Sequence, residues 1–308
     1  MNPLSTLVES PAAATPAPAA FPATRLLYWS VRRELWESRW LYLGPLIAAG
    51  VFLLGFLIST VRLPAQMRAL AGLDPMRQHE AVAAPFHMAS GFLMLIGMVV
   101  GAFYCVEASQ TERRDRSILF WKSLPVSDLT TVAAKAMIPL LVLPLLIFAI
   151  TFALQLVMLL ASSAVLAIAG APVALLWTRL SLFRMAPLLL YHLIAIHALW
   201  HAPFYGWLLL VSAWARRAAL LWAVLPPVAI GVFERIDLGT SYFTSMPEYR
   251  ISGGGNEALT APDTFPMDLT THPTVAHFLA SPGLWIGLAL TALFLAAAVR
   301  LRHRRGPA

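Results

Sequence analysis

Charge is what this 308-residue chain has least of: Asp, Glu, Lys and Arg make up 12% of it, about half the share usual in soluble domains. With 59% of residues hydrophobic and a mean hydropathy of +0.73, a soluble globular fold is excluded and a bilayer is the solvent that fits. Cysteine is nearly missing as well. Cys105 stands alone within an apolar run, so no intrachain disulfide can form, and a lone thiol there reads as packing rather than chemistry. Lysine occurs only as Lys122 and Lys135, so the basic charge is almost wholly arginine. No Gly-x-x-x-x-Gly-Lys-Ser/Thr loop and no His-Glu-x-x-His pair occurs, and no polar stretch on the inner side is long enough to fold into a nucleotide-binding domain. The chain is therefore expected to be no enzyme by itself and to hold no cofactor; energy-driven work would draw on another chain.

What is present in quantity is long apolar runs. Crossing ~30 Å of hydrocarbon takes about 20 residues at ~1.5 Å rise each, and six stretches meet that need: residues 41–61, 85–106, 136–161, 187–211, 218–233 and 282–299. The fifth is shortest, and Pro226-Pro227 in its middle predict a kink unless other groups satisfy the carbonyls that proline leaves without donors. The fold class expected is all-α and integral to the membrane.

A net charge of +7 and a pI near 10.1 would point to nucleic acid if the basic residues formed a patch. They do not. With both termini cytoplasmic, Arg25, Arg32, Arg33, Arg39, Arg113, Arg114, Arg116, Lys122, Lys135, Arg216, Arg217, Arg300, Arg302, Arg304 and Arg305 fall inside, 15 of the 22. Arg62, Arg68, Arg77, Arg179, Arg184, Arg235 and Arg250 fall outside. The basic excess thus follows the positive-inside rule, no nucleic-acid partner is expected, and a multi-pass protein of a bacterial inner membrane is the natural assignment.

Residues 1–23 are rich in Ala and Pro, without a basic stretch leading into an apolar core, and read as a disordered tail. Residues 24–305 form one transmembrane domain. From Thr24 to Tyr42 the pattern is helical: Leu27, Tyr28, Val31, Leu35 and Tyr42 share an arc free of charge, while Arg25, Arg32, Arg33, Glu34, Glu37 and Arg39 lie outside it and Trp29, Trp36 and Trp40 form a second arc. An apolar stripe beside Trp and Arg predicts an interfacial helix over 24–40 in contact with membrane lipid; a plain cytoplasmic extension of the first span is the alternative. Residues 162–186 predict a short re-entrant or interfacial piece on the outer side. Residues 237–281, with Gly253-Gly254-Gly255 and several prolines, predict an extracytoplasmic loop with little regular structure.

The most informative stretch lies in the 107–135 loop and reads Glu112, Arg113, Arg114, Asp115, Arg116, Ser117, Ile118, Leu119, Phe120, Trp121, Lys122, Ser123, Leu124, Pro125. Ser127 before Asp128 predicts an N-cap for the third span, and Pro125 ends a short helix before it. Within that helix Ile118, Leu119, Phe120 and Trp121 are consecutive, so their directions sweep about 300° around the axis and no single apolar surface covers all four. One side can face the protein's own spans or the bilayer; a cytoplasmic partner is the economical cover for the other. Folding of the loop wholly onto its own membrane domain remains open.

His192, His197 and His201 fall in the fourth span, with His197 and His201 at i, i+4. That spacing suits a metal or haem iron, and a membrane metal or haem protein is the rival reading, although histidines in spans more often pack with hydrogen bonds inside a bundle. Glu107, Glu234, Arg235 and Asp237 read as charges at span boundaries. A non-transporting membrane sensor or scaffold is a third reading.

Six spans, an interfacial helix and the 112–128 loop together resemble the membrane subunits of bacterial ATP-binding cassette exporters of the second exporter type. The stretch from Trp207 to Arg217 and the segment Ser281-Pro282-Gly283-Leu284-Trp285-Ile286-Gly287-Leu288 are similar to the same family, and the resemblance runs over about residues 24–305. It implies that residues 112–125 form a coupling helix seated in a cleft of a separate ATPase subunit, which would bind the ATP and Mg. Ile118, Phe120 and Trp121 would be anchors, and Arg113, Arg114, Asp115 and Arg116 would set register through charge complementarity. It further implies a second permease subunit, identical or paralogous, around a shared pathway.

Overall fold

A computed structural model describes residues 22–70, 72–110, 127–251 and 275–304. Those residues are helical almost throughout, with no strand among them. After an N-terminal helix α1 (Ala23–Glu37), six helices are long and apolar enough to cross a membrane. They are α2 (Trp40–Leu70), α3 (Pro75–Glu107), α4 (Asp128–Ile168), α6 (Leu182–Trp200), α8 (Ala219–Leu238) and α11 (Pro282–Arg304). Shorter helices complete the described chain: α5 (Val173–Arg179), α7 (Ala202–Trp214), α9 (Tyr242–Ile251) and α10 (Val275–Ala280). The all-α multi-pass architecture expected from the apolar runs is thus what the chain adopts.

The helices begin where local chemistry starts them. Asp74 accepts hydrogen bonds from the backbone N–H of Met76 and of Arg77, both at 3.1 Å, with Pro75 as first helical residue of α3. Ser127 Oγ accepts from Thr130 N at 3.1 Å at the start of α4, and Asp128 occupies the first turn, which places a carboxylate against the positive helix end. The cap expected at Ser127 is therefore made.

Prolines set the irregularities. Pro139 lies in a π-helical segment, Ile138–Val142, because a proline has no N–H to give the carbonyl four residues back and the helix widens around the gap. The fourth crossing, expected as one span over 187–211, is divided: α6 ends in a π-helical run, Leu193–Trp200, the chain turns at His201 (φ −89°, ψ 1°), and α7 follows with Pro203 in its first turn. His201 N bonds Ile196 O at 3.2 Å, and Pro203 has no N–H to give the Leu199 carbonyl four residues back, so the α register cannot continue through this point. By contrast α8 runs on through Pro226 and Pro227. Its Ala223 carbonyl, which Pro227 deprives of a donor, accepts a hydrogen bond from Trp207 Nε1 at 3.1 Å.

Side-chain contacts set the helices in order. α3 is central and packs against α2, α4, α6 and α7. A Cβ at Gly97 would lie 2.8 Å from Ile147 and 3.4 Å from His197, and one at Gly101 would lie 3.1 Å from Leu143 and 3.2 Å from Tyr205. These glycines, four residues apart on one helix face, let three helices approach closely. The pairings also show α7 continuing the path of α6 parallel to α3, since Gly97 faces His197, Gly101 faces Tyr205, and Ser109 N bonds Ser212 Oγ at 3.0 Å. Gly97→Leu is expected to destabilise the bundle by ~1–3 kcal/mol through overpacking against Ile147 and His197, read as a lower apparent Tm in detergent; an unchanged Tm would contradict the close three-helix packing.

Residues 162–186 divide among helices: α4 continues to Ile168, the chain turns at Gly170 (φ +64°), and α5 packs Leu176 into the bundle at 2% exposure. Residues 237–281 carry α9 and α10, so that region has regular structure in its described part; 252–274 lie outside the described residues. The helical pattern over 24–42 is interrupted too, with α1 ending before Ser38 (φ −107°, ψ 63°).

Candidate functional site: a polar clamp at the loop end

One end of the bundle gathers α1, the end of α3, the start of α4, the end of α7 and the end of α11. At its centre is Glu34 on α1, 3% exposed. Its Oε1 accepts from Lys135 Nζ at 2.9 Å and from an Arg33 guanidinium nitrogen at 2.8 Å, and its Oε2 accepts from Tyr104 OH at 2.8 Å. Lys135, on α4 and also 3% exposed, donates a second bond to Ala108 O at 2.6 Å. The sequence pattern had placed Glu34 outside the buried arc of α1. It is buried because the ammonium of Lys135 and the Tyr104 hydroxyl share its charge, which is what lets a carboxylate leave water.

This clamp holds both ends of the stretch on which the sequence reading turns. Glu112, Arg113, Arg114, Asp115, Arg116, Ile118, Leu119, Phe120, Trp121, Lys122 and Pro125 lie outside the described residues. Before that stretch, Lys135 and Ser212 take the backbone groups of Ala108 and Ser109; after it, the described chain resumes at Ser127 and Asp128. Asp128 in turn accepts from Arg302 Nε at 3.1 Å, with His303 Nδ1 3.5 Å from its other oxygen. The described residues on either side of the stretch are thereby tied to α1, α4, α7 and α11.

α1 presents two faces. Val31 and Leu35 pack on the core, whereas Tyr28, on the same charge-free arc, is 60% exposed and Trp29 and Trp36 are 50% and 69% exposed. Arg32 lies over both Trp29 and Trp36, 5.0 Å from each ring.

The histidines are each engaged separately. His192 Nδ1 donates to Leu188 O at 2.9 Å, His201 Nδ1 donates to Ile196 O at 2.6 Å, and His197 Nε2 lies 3.3 Å from Tyr205 OH. The π-helical run and the turn at His201 replace the i, i+4 face that an unbroken helix would share. No group of three or more His, Cys, Asp or Glu side chains placed to hold a metal occurs among the described residues. Cys105 is fully buried. A buried polar contact unforeseen from the sequence is Gln155 on α4, whose amide donates to Ser90 Oγ at 2.8 Å and Phe86 O at 3.1 Å.

At the opposite end, Glu107's counterpart charges behave differently from one another. Arg235 and Asp237 are exposed, but Glu234 turns inward and its carboxylate accepts from Phe243 N (3.0 and 2.9 Å) and Thr240 Oγ1 (3.1 Å), capping α9. Arg250, at the other end of α9, donates to Trp200 O at 2.8 Å and to Gly283 O, and lies 4.7 Å from the Trp200 ring. Burial lowers its pKa from the ordinary guanidinium value, without taking it near neutrality. Neither partner of Arg250 carried a signal in the sequence, since both are backbone carbonyls. Compared with known proteins, the chain matches no family model, no curated protein and no solved structure.

Proposed function

We propose that this chain is the permease subunit of an ATP-driven transporter of a bacterial inner membrane, pairing with a second permease subunit and with a separate ATPase that docks on residues 112–125. The observation that supports this reading is the clamp. A docking loop transmits force only if its ends are held by the elements that must move, and the ends of this loop are bonded to α1, α4, α7 and α11 through Lys135, Ser212 and Asp128. Pull on the loop would reach α1 and the second, third, fourth and sixth crossings together. With the loop end cytoplasmic, the exposed Trp29 and Trp36 of α1 face the headgroup region and the ATPase meets the loop from the cytoplasm. The ATPase partner supplies nucleotide and Mg; this chain supplies the pathway and the differential affinity that couples closure to movement.

The histidine-based alternative has less to support it, because His192 and His201 spend a ring nitrogen on backbone carbonyls and His197 faces Tyr205. A scaffold without turnover differs from a transporter in one measurable respect. The chain is co-expressed with a soluble P-loop ATPase encoded by a neighbouring gene of its operon, where one is found, purified and reconstituted in proteoliposomes. Co-purification with ATP-dependent substrate movement is the expected result. Co-purification without movement, across lipid, peptide and drug probes, favours the scaffold; a stoichiometric haem or metal lost in His197→Ala favours the metal protein.

A further inference from the structure

The helix α9 lies outside the six apolar crossings, yet it is anchored at both ends. Its start is capped by the Glu234 carboxylate through Phe243 N, just after a left-handed turn at Gly239 (φ +62°). Its end is anchored by Arg250, which bridges two parts of the bundle: the carbonyl of Trp200, where the fourth crossing breaks, and the carbonyl of Gly283, in the first turn of α11. Trp200 returns the contact, its Nε1 donating to Arg250 O at 3.0 Å. Room for the guanidinium exists because residue 287 is glycine; a Cβ there would collide with it. Between its anchors α9 is thinly attached. No residue of its 242–250 stretch is fully buried, and Tyr242 and Met246 are 79% and 67% exposed. Beneath Arg250, Tyr249 and Phe278 close around Trp200, with ring centroids at 5.7 and 6.3 Å, over Ala195 and Ile196.

We infer that α9 is a lid over the broken fourth crossing, and that Arg250 is its latch, holding only while the Trp200 and Gly283 carbonyls stay within reach of one guanidinium. Separation of α6 from α11 breaks one of the two bonds. The lid then swings about the Gly239 turn, still attached through Glu234, and the Ala195–Trp200 run is uncovered. That the uncovered run is the outer mouth of a transport pathway rests on the permease reading; the latch itself does not. A bridging arginine suits this role because its planar fork fixes the directions of two donors at once, whereas a lysine ammonium is a rotatable point charge.

Ala195→Cys in a Cys105→Ala background, held in lipid nanodiscs, reports the lid through its rate of reaction with a charged thiol reagent. With Arg250 intact, labelling is expected to be slow. Arg250→Gln and, separately, Gly287→Ala, which displaces the guanidinium while keeping the arginine, are each expected to raise the rate by about tenfold or more, the factor that ~1.4 kcal/mol of lost latch free energy produces. Arg250→Lys is expected to fall between, since one charged donor survives. Equal rates in all four proteins, each monodisperse with the parent's apparent Tm, would overturn the latch. If one variant fails to fold, the other still decides, because they perturb the contact from opposite sides. Faster labelling in a protein whose reconstituted parent moves no substrate leaves the latch standing and removes the transport reading.

Discussion

Lys135→Met is expected to lower the stability of the folded chain by ~3–5 kcal/mol, the cost of breaking a buried ion pair by removing one partner. Lys135 Nζ holds Glu34 Oε1 at 2.9 Å and Ala108 O at 2.6 Å, and both side chains are nearly inaccessible. Without the ammonium, the Glu34 carboxylate keeps Arg33 and the Tyr104 hydroxyl, but a large part of its charge is left buried without compensation, and Ala108 O loses a donor as well. The measurement is thermal unfolding in detergent, followed by loss of monodisperse protein. Glu34→Gln added to Lys135→Met is expected to recover at least half of the loss, because the amide oxygen still accepts from Arg33 and the amide NH2 can donate to the Tyr104 hydroxyl while the buried charge is gone. A double-mutant cycle should then return a coupling of about 1.5–3 kcal/mol. Strictly additive losses would show that the two residues do not act as a pair.

Phe120→Ala together with Trp121→Ala is expected to weaken association with the ATPase by about a thousandfold, and so to abolish co-purification and coupled hydrolysis, while leaving membrane insertion and apparent Tm unchanged. Truncating an aromatic anchor at the centre of an interface typically costs ~2 kcal/mol or more; two such losses, ~4 kcal/mol, are a factor of about 10³. This prediction belongs to the proposed docking reading, and retained co-purification with retained substrate-stimulated hydrolysis would sink it. The contrast with Lys135→Met separates the roles. The loop pair should lose the partner and keep the fold; the clamp lysine should lose the fold first. A loop folded wholly onto its own membrane domain would instead lose apparent Tm in the aromatic double variant.

The six crossings were legible because hydrophobicity is additive along a chain: 20 apolar residues in a row have one low-energy environment whatever their neighbours do. The cap at Ser127 was legible for the same kind of reason, since it is made within four residues. The break in the fourth crossing was only half visible. Pro203 marks it, but Pro226 and Pro227 look stronger and interrupt nothing, and the difference lies in Trp207, whose indole reaches across to Ala223 O. That donor comes from another helix, so no local pattern could report it.

By itself, then, the sequence determined what depends on composition and on neighbours along the chain: the solvent, the helical class and the number of apolar crossings. Only tertiary structure decided which polar groups leave water. Glu34 had the spacing of a surface residue, Gln155 was one polar residue in an apolar run, and Arg250 was one charge in a polar loop. Each is buried or bridging because partners 101, 65 and 50 residues away supply its hydrogen bonds, and the free energy of a polar group in an apolar interior is set by those partners rather than by its place in the chain.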